Sequence, residues 1–309
     1  MMSTFSGATQ VRGLWTPVLA VGLATFSVVT TEMLPVGLLN SIAATLSVTT
    51  GSAGLVISLP ALLAALFAPF VVIASGGIDR RLILCGLLVL LIVANLASAL
   101  ASSLAMMLMA RALVGLCMGG IWAIAGGLAA RLVPEKSVGL ATSIIFGGVA
   151  AASVLGVPLG AFIGDAIGWR WAFGCMALFS TLVLALHLAV IPPLPVAASA
   201  KVGQFIAQLT NRTLVAGLLL TLLLVTSHFA AFTFVRPLLI SVSGFHTQWI
   251  WAILFAYGIA GIIGNFLVGI GAARNTTRTL MVVATALAVT PLLFLSAGQT
   301  VMGLSLIHI

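Results

Sequence analysis

Apolar runs of roughly twenty residues follow one another along most of this chain, and no other feature restricts its fold so strongly. They extend from Trp15 to Leu39, Ser52 to Ser75, Leu82 to Ala101, Leu104 to Ala129, Val138 to Phe162, Trp171 to Ile191, Leu214 to Val235, Thr247 to Ile270 and Leu280 to Ala297. A helix of about 20 residues crosses the hydrocarbon core of a bilayer, so each run is long enough, or nearly so, to span. Within lipid every backbone N–H and C=O must be bonded internally, which leaves helices or a closed barrel. A barrel needs short segments that alternate apolar and polar residues, whereas these runs are continuously apolar and rich in Leu, Ala and Gly. The expected fold class is an all-α membrane protein with nine complete transmembrane helices. A tenth run starts at Thr300 and stops at Ile309.

Composition excludes a soluble architecture. Only 5% of the 309 residues are charged and 62% are hydrophobic, with a mean hydropathy of +1.33, against about 25% charged residues in soluble domains. Met1 to Gln10 is uncharged and the run from Trp15 is too long for a cleaved leader. The net charge of +8 comes from Arg and Lys scattered singly between apolar runs, without the patch or aromatic platform that nucleic acid requires. A cytoplasmic N-terminus puts Arg12, Arg80, Arg81, Arg131, Lys136, Lys201, Arg212, Arg274 and Arg278 inside and leaves Arg170 and Arg236 outside. That asymmetry fixes the expected orientation. Cys85, Cys117 and Cys175 lie inside apolar runs without metal-ligand spacing and read as small packing residues.

The longest polar interruption, Pro192 to Asn211, carries three prolines and a short segment from Lys201 to Ile206 suited to an interfacial helix. It divides the chain into a six-helix bundle over 1–192, a cytoplasmic linker over 193–212 and an incomplete C-terminal bundle over 213–309. A weak internal echo supports two similarly oriented halves: Glu32 and Pro35 near the end of the first run are matched by His228 and Arg236-Pro237 in the seventh. The loop Gly76 to Arg81 is likewise matched by Gly269 to Arg274.

Within this frame a few polar residues stand out. Glu32 is the only charged residue between Arg12 and Asp79, and an isolated carboxylate in hydrocarbon is normally neutral, paired or turned to a polar cavity. The alternative is a helix-end residue at the headgroups. Pro35 deprives the Thr31 carbonyl of its helical partner and suggests a local break. Arg111, inside the fourth run, either snorkels to the nearer interface or faces a cavity close to Glu32. Asp79, Arg80 and Arg81 form a tight turn, read as a solvated basic loop or as a conformational latch in which Asp79 accepts hydrogen bonds from a helix N-terminus or a basic side chain; Arg131 is a candidate member of that network. Gly156, Pro158 and Gly160 give the fifth run an unusual backbone, and Gly156, Gly160 and Gly164 line one helix face that lets another helix approach closely. Thr31, Trp122, His228 and Phe232, with Thr30, Asn40, Ser143, Thr226 and Phe234, are candidates for the polar and aromatic surface of a substrate cavity. No nucleotide loop, zinc site or hydrolase constellation is present, so the sequence points to no enzyme, metal or cofactor.

Several of these motifs resemble the major facilitator superfamily, in particular its twelve-helix drug–proton antiporter branch. The loop Gly76 to Arg81 resembles a shortened form of the signature after helix two. Arg111-Ala112-Leu113-Val114-Gly115 looks like the helix-four signature, and Gly156-Val157-Pro158-Leu159-Gly160 like the antiporter signature of helix five. Thr31 to Val36, Gly119 to Ala123, Gly168-Trp169-Arg170 and Phe232 to Pro237 are similar to bacterial sugar, arabinose and purine-ribonucleoside efflux proteins. The resemblance implies export of small molecules across the bacterial inner membrane by alternating access between two six-helix bundles, driven by inward proton flow; a monomer is expected, although the small-residue faces also suit a dimer. It assigns proton coupling to Glu32 and Arg111 and cytoplasmic gating to Asp79. It also implies that the last two helices and most of the tenth lie beyond this sequence. Two other functions fit the residues: an uncoupled facilitator or importer, and a non-transporting membrane scaffold or sensor.

Overall fold

The computed structural model describes residues 15–74, 76–195, 202–241 and 247–297. Arg12, Lys201 and the run from Thr300 lie outside the described residues. Every element is helical or a turn among those described: α1 (Trp15–Thr45), α2 (Thr50–Ala74), α3 (Arg80–Ala99), α4 (Leu104–Leu132), a 3₁₀ turn (Glu135–Ser137), α5 (Val138–Ala151), a π segment (Ala152–Gly156), α6 (Val157–Ile167), α7 (Trp169–Val190), α8 (Val202–Gln208), α9 (Arg212–Ser241) and α10 (Thr247–Ala297). Six helical stretches among the described residues are long and apolar enough to cross a membrane: Trp15–Thr45, Thr50–Val71, Arg80–Ala99, Leu104–Leu132, Glu135–Gly164 and Trp169–Val190. The seventh expected run falls in α9. The eighth and ninth fall in α10, where non-helical torsions at Asn275 (φ −157°, ψ 96°) separate two helices. The Asn275 side chain accepts from the Arg278 N–H at 2.9 Å, capping the second of them.

α1 is the central element. It packs against α2, α4, α5, α6 and α7, and most of its surface is buried between them, with Leu19, Leu23 and Val36 left exposed. It runs on to Thr45 past Pro35, so the expected break at this proline does not occur. Small residues bring the neighbours close. A methyl group added at Gly156 would meet Thr30 Cγ2 at 2.9 Å; at Gly160 it would strike Leu34, and at Gly164 Leu38. The glycine face read from the sequence therefore receives α1, with its partners spaced as the glycines are. Pro158 follows the π segment, where the i→i+5 pattern absorbs the hydrogen bond that proline cannot make.

At the end of the bundle that carries the basic loops, Gly77 adopts φ +81°, a left-handed torsion that favours glycine, and turns the chain into α3. Cys85 and Cys117 are buried, whereas Cys175 is exposed rather than packed. α9 packs on α10, and α10 packs on α5.

Candidate functional site

Three polar assemblies stand out in the structure. The first surrounds Glu32, which is 6% exposed, beside a fully buried Arg111. Prolines explain where the arginine points. Pro35 has no N–H to offer Thr31, and Pro60, within α2, has none for Val56, so two carbonyls inside the bundle lose their helical partners. Arg111 supplies both: Nη1 donates to Thr31 O at 3.0 Å and Nε to Val56 O at 3.1 Å. Nη2 donates to the Glu32 carbonyl at 3.1 Å, and the guanidinium lies 5.9 Å from the centroid of the Phe173 ring. Arg111 therefore neither snorkels nor faces a cavity. It ties α1 to α2 from its place on α4. Its described hydrogen bonds go to main-chain carbonyls, while its charge still acts on the Glu32 carboxylate.

Thr31 belongs to the same assembly. Its hydroxyl accepts from Asn95 Nδ2 at 3.1 Å, and Asn95 also donates to Leu91 O at 3.1 Å. Both residues are fully buried, so Thr31 faces the interior of the bundle instead of lining a cavity. Asn95 was not singled out in the sequence; a lone amide in the third apolar run was the available signal.

The second assembly is the basic end. Asp79 caps α3 by accepting from Arg81 N–H at 2.8 Å, and both of its carboxylate oxygens accept from Leu194 N–H at 2.9 Å. The Arg80 N–H and Arg131 Nη1 donate to Leu194 O at 3.1 and 3.3 Å, and Arg131 Nη2 donates to Pro195 O at 2.6 Å. Arg81 Nη2 reaches Leu188 O at 2.6 Å. Asp79, Arg80 and Arg131 are thus brought together on the chain that leaves α7. Their partner is main chain at the start of the linker, which sequence reasoning did not identify because a peptide group leaves no mark on the sequence.

The third assembly joins α5 to α10. Asn265 Nδ2 donates to Ser143 O at 2.7 Å and Ser143 Oγ donates back to Asn265 O at 3.3 Å. A cleft of about 540 Å³ opens beside them, lined by Glu135, Lys136, Thr142, Phe146, Asn265 and Ala273 among others. Phe146 stacks at a tilt on Trp122, centroids 5.3 Å apart, and Trp122 is 40% exposed. His228 is exposed on α9, and the side chain of Phe232 lies outside the described residues. The four expected cavity residues therefore do not form one cluster among the described residues.

A family model described as Major Facilitator Superfamily matches residues 21–308. The chain belongs to the major facilitator superfamily. Its kinship is with transporters rather than enzymes. The purine ribonucleoside efflux pump NepI of Salmonella typhimurium is 34% identical over 254 residues, covering 82% of this chain. The chain spans 64% of that pump's own length. The transcription regulatory protein OpdE of Pseudomonas aeruginosa is 33% identical over 290 residues, covering 93% of this chain and 72% of its own. Among solved structures, the proton:xylose symporter XylE bound to 6-bromo-6-deoxy-D-glucose superposes with a TM-score of 0.64 at 14% identity, covering 84% of this chain and 69% of XylE. The human organic anion transporter MFSD10 gives 0.69 at 19%, covering 97% and 82%. These two likenesses establish that this superfamily member shares their all-helical fold. It is a multi-pass membrane protein.

Proposed function

We propose that the protein exports small polar or amphipathic molecules, such as sugars or ribonucleosides, across the bacterial inner membrane in exchange for protons, by alternating access between two bundles joined by the linker 193–212. The observation that carries this reading is the buried Glu32 carboxylate, held in the middle of the N-terminal bundle within the field of Arg111. A carboxylate in such a place changes its interactions greatly when it takes up or releases a proton, which couples protonation to the conformation around it. Inward proton movement supplies about 2.3 kcal/mol per 100 mV of membrane potential, enough to drive export without ATP. The 34% identity to a purine ribonucleoside efflux pump favours ribonucleosides among the candidate substrates.

In this reading the N-terminus is cytoplasmic, and nine spans belong to an expected twelve. Asp79, Arg80 and Arg131 act at the cytoplasmic gate through their grip on the linker at Leu194 and Pro195. Trp122, with His228 and Phe232, contributes to the substrate path, and the transporter works as a monomer. The test is flux of a labelled purine ribonucleoside in proteoliposomes under an imposed pH gradient. Proton-driven movement that is lost in Glu32→Gln supports antiport; equal coupled flux without the carboxylate overturns it.

A second reading, a non-transporting membrane sensor or scaffold, is favoured by one finding: a 33% identical relative carries the name transcription regulatory protein. Ligand binding without flux, together with a ligand-dependent protein partner, distinguishes it from transport.

A further inference from the structure

The helix-four arginine is aimed by a proline on another helix. α2 and α4 lie side by side in a four-residue register. Val56 meets Arg111 through a hydrogen bond; a methyl added at Gly115 would come within 2.6 Å of Pro60 O and 3.0 Å of Pro60 Cα; one added at Gly119 would come within 2.7 Å of Ala64 O. Residues 56, 60 and 64 thus face 111, 115 and 119, and residues four apart share one helix face. Gly115 lets the two backbones touch at Pro60, one helical turn from the point where Arg111 Nε needs an acceptor. Pro60 creates that acceptor, because it has no N–H for Val56 O.

We propose that Pro60 is a positioning residue for the helix-one carboxylate: by leaving the Val56 carbonyl to Arg111 Nε, it holds the guanidinium on the Thr31 and Glu32 main-chain carbonyls rather than on the Glu32 carboxylate. The guanidinium is a rigid planar fork, so fixing Nε fixes the directions of Nη1 and Nη2. With an N–H at residue 60, Val56 O would close its own helical bond and compete for the acceptor. The fork would then be free to turn toward the carboxylate one peptide away. The positive charge would engage the carboxylate directly, and proton uptake at Glu32 would have to break that contact. The functional part of this inference rests on the proton-coupling reading of Glu32; the pairing of Pro60 with Arg111 does not.

The experiment has two arms. In the first, melting temperatures of the purified protein in detergent are compared for wild type, Arg111→Met, Pro60→Ala and the double variant, with Pro69→Ala as the control proline on the same helix. Arg111→Met strands Val56 O in the wild-type background but not with Pro60→Ala, so its melting loss is expected to be smaller there and unchanged with Pro69→Ala. Equal losses in all three backgrounds overturn the pairing. Should Pro60→Ala fail to fold, a wild-type measurement decides: a slowly exchanging arginine Nε–H resonance, missing from Arg111→Met, is expected, and rapid exchange at that group overturns the proposal. In the second arm, Pro60→Ala is expected to displace the pH profile of proton-driven flux while leaving the substrate KM unchanged, and an unmoved profile removes the positioning role. Glu32→Gln is run in parallel. If it keeps the wild-type profile, the proton-coupling reading fails, while the melting comparison still decides whether Pro60 positions Arg111.

Discussion

Arg111 reaches Glu32 through the main chain: Nη2 donates to the Glu32 carbonyl oxygen at 3.1 Å, with the neighbouring Thr31 carbonyl on Nη1 at 3.0 Å. A buried cation thus serves two ends at once, satisfying backbone acceptors that proline has released and setting the field in which the carboxylate works.

The first prediction concerns that double duty. Arg111→Met removes the donors for Thr31, Glu32 and Val56 and leaves the two proline-released carbonyls buried without partners, at about 1–3 kcal/mol each. Arg111→Lys keeps the charge but has a single ammonium in place of the planar fork, and recovers only part of the loss. Thermal unfolding in detergent is expected to rank wild type above Arg111→Lys, and Arg111→Lys above Arg111→Met. Equal stability of Arg111→Lys and wild type would show that the fork geometry does not matter.

The second concerns glycine. At Gly119 an added methyl would lie 2.7 Å from Ala64 O, a main-chain atom that cannot step aside, whereas at Gly86, exposed on α3, nothing lies within 4 Å. Gly119→Ala is expected to destabilise by about 1–3 kcal/mol through overpacking. Gly86→Ala is expected to be neutral or to stabilise by up to about 1 kcal/mol through helix propensity. Melting temperatures of the two variants should move in opposite directions, or only the first should move.

How far the sequence foresaw this arrangement depends on whether a feature is local. The apolar runs, the capping turn at Asp79 and the glycine face of the fifth run depend on neighbours in the chain, and each has its expected local geometry. That Pro35 frees the Thr31 carbonyl was also legible, because the consequence falls at a fixed offset. That α1 continues past Pro35 was not, and the partner found by the released carbonyl is an arginine 76 positions from the proline along the chain (111 − 35). Thr31 shows a second limit. Successive helix residues point about 100° apart, so an error of one residue in phase exchanges a cavity wall for a buried contact with Asn95. The spacing Val56, Pro60, Ala64 against Arg111, Gly115, Gly119 is present in the sequence, but it becomes a contact only once α2 and α4 are known to be neighbours in that register.

The third prediction addresses the linker. The Leu194 N–H is held by both oxygens of Asp79, and a hydrogen bond to a charged group contributes about 1.5–3 kcal/mol. Asp79→Ala is expected to speed hydrogen exchange at the Leu194 amide by about 10- to 100-fold, since each 1.4 kcal/mol is a factor of ten. Arg131→Gln acts on the Leu194 carbonyl, in the next peptide along, and should have a smaller effect on this amide. Unchanged exchange in Asp79→Ala would remove the carboxylate from the grip on the linker.

The last prediction tests whether the two bundles separate during transport. An ideal Cβ at Gly139 lies 3.0 Å from the Cβ of Ala273, near the 3.5–4.5 Å typical of a disulfide, so small adjustments allow a bridge between Gly139→Cys and Ala273→Cys. The native cysteines are replaced first, and the pair is oxidised in proteoliposomes. Alternating access requires α5 and α10 to part at this end of the bundle, breaking the mutual Ser143–Asn265 contacts once in each cycle. Flux is therefore expected to fall to the background of empty vesicles on oxidation and to return on reduction, while either single cysteine variant shows no redox dependence. A bridged protein that transports at the reduced rate would rule out separation along this seam.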